Sequence, residues 1–552
     1  MLTRSDDATR IENLTVAMDA DANVDHDRGS IALVTALLLA LLAGLVLAAG
    51  GVFYWLSHPM LIYPDQALYV HMAKLFLQGK MPYVEMFDNN PPLAIYLQIL
   101  PVWLAQSLKL TEPLAFSLYI WGLALLSCTT GGVALLRSAC RGALYVGLAA
   151  LLGFVYFNQH QVVDFGQREH IFAILYLPFF LLRYLRWQGK KIDRPLAILI
   201  GVCAGIGISL KHYFLLVALA PELVWLIENR SVKPLFRAET VAAALTIVLY
   251  LAHFLFLPRE ELQFFFGVIV PIYKAGYSYY TTSMSFNLNT YWRGDFYLMA
   301  LTSLGALILA RRSSLVMPLQ AFSLMSAAIF ILAGQVWSYH VLPVRMANEI
   351  ALFVQAFLFC SYLPHFVRTK KWAPALLAGI VLIAASALTF QRTRQILNER
   401  EQGEIFFLPA LGYDGECPAS DINPYTQIVV DRTANDDSIL FISSSMGPAY
   451  PVYLQSRRRP ASRFLHAMVL PLLASVIDNP ESGSDREMFK ERMKQFLDWY
   501  GEDIARNKPR LIIVQNNFIY GLLNRHGFFK RYMANYKEIQ AQDDNRIYLR
   551  EQ

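Results

Sequence analysis

The sequence predicts a polytopic α-helical membrane protein that carries a small C-terminal α/β domain on the extracytoplasmic side. Three observations lead there. Of the 552 residues, 55% are hydrophobic and only 16% charged, against about 25% charged in a soluble domain. Residues 31–55 contain no charged side chain and exceed the roughly 20 apolar residues that cross a bilayer. Beyond residue 390 the apolar runs stop, and short β-like stretches alternate with helical ones.

Residues 1–30 hold seven acids against Arg4, Arg10 and Arg28, a composition that predicts a disordered cytoplasmic tail. The apolar run after it is too long for a signal peptide and has no basic segment abutting it, so it reads as a retained anchor. Further apolar segments follow at 92–110, 114–136, 144–157, 171–185, 195–210, 213–227, 241–257, 296–310, 315–333, 346–363 and 373–390. Lys and Arg are retained on the cytoplasmic side. They cluster at 137–141, 183–194, 229–237, 311–312 and 368–371, which places 158–170, Lys211, 258–295 and 334–345 outside. With the N-terminus inside and the last domain outside, the number of crossings is odd, so one of the dozen segments does not cross. The basic loops put it between Trp55 and Arg137, where segment 92–110, interrupted by Gln98, Pro101 and Gln106, is the weaker of two and is expected to dip or lie at the interface. The reading is about 11 to 13 membrane helices, residues 31–391 in all, with residues 392–552 as the α/β domain. There, strands are expected at 438–443 and 511–516 and an amphipathic helix at 485–504.

A net charge of +6 spread along the chain makes no case for nucleic acid. Cys128, Cys140, Cys203 and Cys360 lie in or beside apolar segments, and Cys417 stands alone in the polar region. No disulfide framework or zinc spacing follows.

The first external loop, 58–91, is the most informative stretch. Asp65 is placed to cap a helix whose Leu68, Met72, Leu75 and Phe76 share one face, so the helix is expected to lie flat on the membrane surface. Gly79 ends it. Then come Pro82, Tyr83 and the run Phe87, Asp88, Asn89, Asn90, Pro91, Pro92 and Leu93. An acid opening a surface helix, a Gly, Pro-Tyr, an aromatic-acid pair and Pro-Pro-Leu entering a membrane helix resemble the first loop of the GT-C glycosyltransferases, the aminoarabinose transferases and protein O-mannosyltransferases above all. The sharp motif covers about 30 residues and the similar membrane layout about 390.

That resemblance implies sugar transfer from a polyprenyl-phosphate donor to a glycan or glycolipid of the cell envelope, on the outer face of a bacterial cytoplasmic membrane. It implies Asp65 as general base or acceptor-orienting acid, because an acceptor hydroxyl is a weak nucleophile; the alternative is a plain helix cap. Asp88 becomes the second acid, or an Asx-turn before the prolines. Asn90 stands where some relatives carry His or Lys, which weakens a metal assignment.

The segment 158–170 crowds His160, Asp164, Arg168, Glu169 and His170 beside the bilayer, where charge is costly unless it serves a cavity or a partner. Asp164 falls where the resemblance puts a second acidic motif. Arg168 suits a phosphate through its planar fork, or else pairs with Asp164 or Glu169. A divalent metal on Asp88, Asp164, His160 and His170 is a further reading. Lys211 interrupts an apolar stretch where aminoarabinose transferases carry a Lys, as a donor-phosphate ligand or a snorkelling side chain. His340 and Arg345, around Pro343, fill the late external loop that similar proteins use at the donor phosphate. Tyr273, Tyr277, Tyr279, Tyr280 and Tyr291 enrich the loop 258–295 for sugar stacking or interface anchoring. Arg457, Arg458 and Arg459 read as a solvated basic turn or a contact to anionic lipid or glycan. Rival readings are a transporter or flippase of lipid-linked sugars, against which stand the missing internal repeat and broken helix pair, and an O-antigen ligase or polymerase.

Overall fold

The computed structural model describes residues 64–137, 164–279, 293–333, 337–359, 424–483, 485–542 and 544–551, together with Ile62, Leu148, Leu152 and Val155. The N-terminal tail, the first anchor, segment 373–390, most of 144–157 and His160 lie outside these residues.

Among the described residues, three helices are long and apolar enough to cross a membrane: Glu112–Leu135, Ala238–Phe256 and Tyr339–Phe359. They belong to a bundle made of α1 (Pro64–Leu77), α2 (Leu93–Tyr96), α3 (Ile99–Leu108), α4 (Glu112–Arg137), α5 (Arg168–Trp187), α6 (Arg194–Ser209), α7 (Phe214–Asn229) and α8 (Ala238–His253). It continues with α9 (Arg259–Phe264), a π-turn at Phe265–Ile269, α10 (Val270–Tyr279), α11 (Arg293–Leu309), α12 (Val316–Ala333) and α13 (Leu342–Phe359). Helix α5 is buried along almost its whole length and forms the bundle axis. Its Phe172 stacks on Phe214 of α7 at 4.1 Å, and its Tyr176 stacks on Phe322 of α12. Helices α6 and α8 approach closely because Gly201 and Gly205 present bare backbone: a Cβ at Gly201 would stand 2.2 Å from the Glu239 carbonyl oxygen. Small residues four apart are what lets membrane helices touch backbone to backbone. The outer faces stay apolar and exposed, as at Leu249, Leu255 and Phe256.

The basic run after Arg183 is not simply solvated. Arg183, at the end of α5, is fully buried and grips Glu222 with Nε at 2.6 Å and Nη2 at 2.9 Å, and reaches Glu239 at 3.1 Å. Arg186 holds Glu239 from the other side at 3.0 Å. Segment 92–110 is broken where Gln98 stands, into α2 and α3.

The C-terminal residues contain α14 (Pro424–Arg432), β1 (Ser438–Ile442), α15 (Ala449–Ser456), β2 (Arg459–Pro460), α16 (Val469–Asp478) and α17 (Asp485–Asn507). After these come β3 (Leu511–Val514), α18 (Asn516–Arg525), α19 (Phe528–Tyr532), β4 (Tyr536–Gln542) and β5 (Asn545–Arg550). The sheet order is β2-β1-β3-β5-β4, parallel through β2, β1 and β3 and antiparallel through β5 and β4. The expected strands at 438 and 511 are its centre, and both are almost wholly buried.

Three expectations are corrected here. Helix α1 is buried on more than one face: from Pro64 to Ala73 nearly every residue is buried, with α3 and α15 among the elements packed on it. His71 of α1 is within 2.7 Å of the Tyr450 hydroxyl of α15. The loop 258–295 is helical through Tyr279, and α10 packs on α16, with Gly276 against Leu472. Arg458 is no solvated turn residue: it is buried and donates to Thr433, Asn435 and the Ser456 carbonyl, so hydrogen bonds within the fold occupy it.

Candidate active site

Helix α1 begins at Pro64, which puts Asp65 inside the first turn and not at the cap. Its carboxylate accepts a hydrogen bond from Gln167 Nε2 at 3.1 Å. Gln167 precedes α5 in an extended conformation, after a turn that Gly166 allows with φ +71°. Burial holds the Asp65 carboxyl above its ordinary range, while the Gln167 hydrogen bond and the Arg168 charge pull it back and Asp88 adds to the rise. Such a carboxylate is a stronger proton acceptor than an exposed one.

One helical turn further on, Tyr69 shares the Asp65 face. Its ring lies under the Arg168 guanidinium at 5.6 Å. Its hydroxyl accepts from Asn90 Nδ2 at 2.7 Å, and the same amide group donates to Asp88 Oδ1 at 2.8 Å. The Asn90 backbone N–H also donates to Asp88 Oδ1 at 2.7 Å, closing the expected Asx-turn. Asn89 donates to Tyr277 of α10 at 3.0 Å. Asp88 is fully buried, and its Oδ2 faces His466 Nε2 at 3.6 Å. The expected turn is therefore present, and the second oxygen of Asp88 is left facing His466.

Arg168 forms no ion pair with Asp164 or Glu169 among the described residues, and its buried Nε lacks a hydrogen-bond partner there. Glu169 is engaged elsewhere. It takes Lys211 Nζ at 2.5 Å and the Tyr213 hydroxyl at 3.2 Å, and His340 Nε2 stands 3.6 Å away. Lys211 also reaches His340 at 3.3 Å and faces the rings of Tyr213 and Tyr339. Lys211 is 9% exposed, so it does not snorkel. Burial first, and the Arg168 charge second, lower its ammonium to about 8 in spite of Glu169. A small cleft beside this group is lined by Glu169, Tyr213 and His340 together with the apolar Phe214, Val217 and Phe330.

Arg345 is engaged within the bundle. Its guanidinium clamps Asp295 through Nε and Nη2 at 2.8 and 2.8 Å and ties α13 to α11. The metal reading also finds no fit among the described residues. No three His, Cys, Asp or Glu side chains converge, and His170 Nδ1 accepts the Gly166 backbone N–H at 3.0 Å. Asp164 is buried in the turn before α5, and His160 lies outside the described residues. Sequence reasoning missed Tyr69, Gln167, Tyr213 and His466. Tyr69 was legible as the i+4 neighbour of Asp65, whereas His466 comes from far along the chain with no local signal.

No protein-family model matches the chain, and no curated protein does either. Among solved structures, ArnT from Cupriavidus metallidurans bound to undecaprenyl phosphate superposes with a TM-score of 0.54 at 11% identity, covering 93% of this chain and 97% of that one. Its apo form gives 0.51 at 10% identity, with 91% and 97% covered. The oligosaccharyltransferase of Archaeoglobus fulgidus, tethered with an acceptor peptide, matches at 0.44 and 14% identity, with 94% and 74% covered. At these identities the likeness is one of fold alone: the chain shares the overall fold of the two ArnT structures.

Proposed function

We propose that this protein is an inverting GT-C glycosyltransferase that moves a sugar from a polyprenyl-phosphate donor to a glycan or glycolipid of the cell envelope. The observation that carries it is convergence. Asp65 and Asp88 from the first loop, Arg168 and Glu169 from the start of α5, and Lys211 from the turn before α7 come together, and contacts through Gln167, Tyr69 and Asn90 join the two acids to the start of α5. The Glu169 side chain there holds Lys211.

In this reading the donor's lipid tail runs along the apolar wall of the cleft, and its phosphate meets Lys211, Arg168 and His340. Asp65 takes the proton of the acceptor hydroxyl while that oxygen bonds to the anomeric carbon. The carbon's bond to the phosphate oxygen breaks, and the electron pair leaves with polyprenyl phosphate. Lys211 and Arg168 offset the charge that grows on the leaving phosphate. Asp88 orients the acceptor. Residues 31–391 act as the transferase unit in a bacterial cytoplasmic membrane, with the site and residues 392–552 on the outer side.

The ArnT structure with undecaprenyl phosphate supports the choice of donor by likeness of fold. Deleting the gene should cause a lipid-linked sugar to accumulate, identified by mass spectrometry of extracted lipids. Wild type should clear it, and Asp65→Asn, present at normal level, should not. Absence of any such lipid, or full clearance by Asp65→Asn, overturns the reading.

A further inference from the structure

His466 lies between β2 and α16, and its placement is determined from both sides. Before it, the Arg463 carbonyl accepts the Phe87 backbone N–H at 2.7 Å, and Phe464 packs on Phe87 and on Tyr500. Asp503 of α17 locks Ser462 and Arg463, taking the Ser462 hydroxyl at 2.9 Å and Arg463 Nη2 at 2.9 Å. After it, the Ala467 N–H donates to the Ser443 carbonyl at 3.1 Å. The imidazole is 1% exposed, and neither ring nitrogen has a hydrogen-bond partner among the described residues. Burying a polar ring without a partner costs free energy that an apolar side chain of similar size would not.

What the ring faces is Asp88. Two donors of Asn90 saturate Oδ1, while Oδ2 has no hydrogen bond among the described residues and lies 3.6 Å from His466 Nε2. That gap is too long for a hydrogen bond, and catalytic contacts often tighten only when substrate is bound. Asp65 is close enough to feel the charge of both groups.

We propose that His466, supplied by the C-terminal α/β unit, is the positioning residue for the Asp88 carboxylate, closing onto Oδ2 when the acceptor enters. The proposal rests on the reading of Asp88 as an acceptor-side acid. With Oδ1 bound to Asn90 and Oδ2 to His466, the carboxylate has one orientation. The reacting loop is thereby coupled to the α/β unit, which explains why Phe87 and Phe464 are stitched together one residue from Asp88.

Two measurements on the full-length protein test this. In nanodiscs with 15N-labelled histidine, the resonance that His466→Gln removes identifies His466. Its Nε2 signal should move when Asp88→Asn is introduced, and an unmoved signal overturns the apposition of the two side chains, and the proposal with it, whatever the enzyme's activity. Transfer is then followed as loss of the accumulated lipid-linked sugar from membranes of the deletion strain. His466→Ala should lower kcat about 100-fold, the scale of a misplaced group, with KM for the lipid nearly unchanged. His466→Gln, whose amide reaches the Nε2 position, should recover most of that loss, and His466→Asn should not. In an Asp88→Asn background, His466→Ala should cost nothing further. Equal behaviour of Gln and Asn, or an additive double variant, overturns the positioning role while leaving Asp88 in place. Full transfer by Asp88→Asn overturns both readings together.

Discussion

Lys211 Nζ is 2.5 Å from Glu169 Oε1, a buried ion pair that joins the turn before α7 to the first turn of α5. A buried pair of this kind adds little stability as a whole, yet removing one partner strands the other charge at a cost of about 3–5 kcal/mol. Lys211→Met should therefore lower the thermal midpoint sharply. Lys211→Met with Glu169→Gln should restore it without restoring binding of undecaprenyl phosphate. Recovery of binding along with stability would reduce Lys211 to a structural ion.

The same lysine predicts a pH dependence. Burial and the Arg168 charge hold its ammonium at about 8, so affinity for undecaprenyl phosphate should fall as pH rises through that value. Lys211→Arg should extend binding to higher pH, because a guanidinium stays charged. Stability moves the opposite way. Between about 8 in the folded chain and the ordinary lysine value of 10.5, the unfolded chain binds more protons, so this group's contribution to stability rises with pH. Binding titrations and thermal melts across that window separate the two effects.

Asp65 sets the acid limb. Its carboxyl titrates above the ordinary range because it is buried, and the Gln167 hydrogen bond lowers it. Transfer needs the ionised form, so the rate should fall on acidification at a pH higher than for an exposed Asp. Gln167→Leu should move that limb to still higher pH while leaving the plateau within a few-fold. Asp65→Asn should cost about 10²–10⁴-fold at every pH, the usual range for a general base. Initial rates across pH decide both.

Arg345 and Asp295 make a structural clamp. Arg345→Met should lower the melting temperature, whereas undecaprenyl phosphate affinity of the folded protein should stay within about twofold. Arg345→Lys should recover part of the stability only, since an ammonium lacks the fork that fits both oxygens. A tenfold loss of lipid affinity would restore Arg345 to the donor site.

Gly201→Ala places a methyl 2.2 Å from the Glu239 carbonyl oxygen, forcing α6 from α8 and disturbing the Glu239 contacts to Arg183 and Arg186. The expected loss is about 1–3 kcal/mol. Gly122→Ala, where a Cβ meets nothing within 4 Å, should be neutral or stabilising by about 0.5–1 kcal/mol. Thermal unfolding in detergent compares them.

Several features were legible in the chain because they depend on near neighbours. Apolar runs mark helices α4, α8 and α13, since a bilayer demands length and apolarity from each segment separately. The Asx-turn at Asp88 and Asn90 and the central strands at 438 and 511 follow from local chemistry too. Helix α1 shows the limit: its i, i+4 pattern indicated one buried face, but nearly all of Pro64 to Ala73 is buried and His71 meets Tyr450 of the α/β unit, a partner that a local pattern cannot report.

By itself, the sequence determined the three apolar runs that form α4, α8 and α13, the Asx-turn at Asp88 before Pro-Pro-Leu, and the cations worth testing. Only the tertiary structure decided what those cations do. Arg345 went to Asp295 and Lys211 to Glu169, while Arg168 Nε, beside Tyr69, has no hydrogen bond among the described residues. It also brought His466 to Asp88. The physical reason is that the energy of a charge is set by the few groups within several ångströms of it, and in a bundle those groups come from distant helices. Hydrophobicity sums along the chain, whereas electrostatics is decided by what the fold puts in contact.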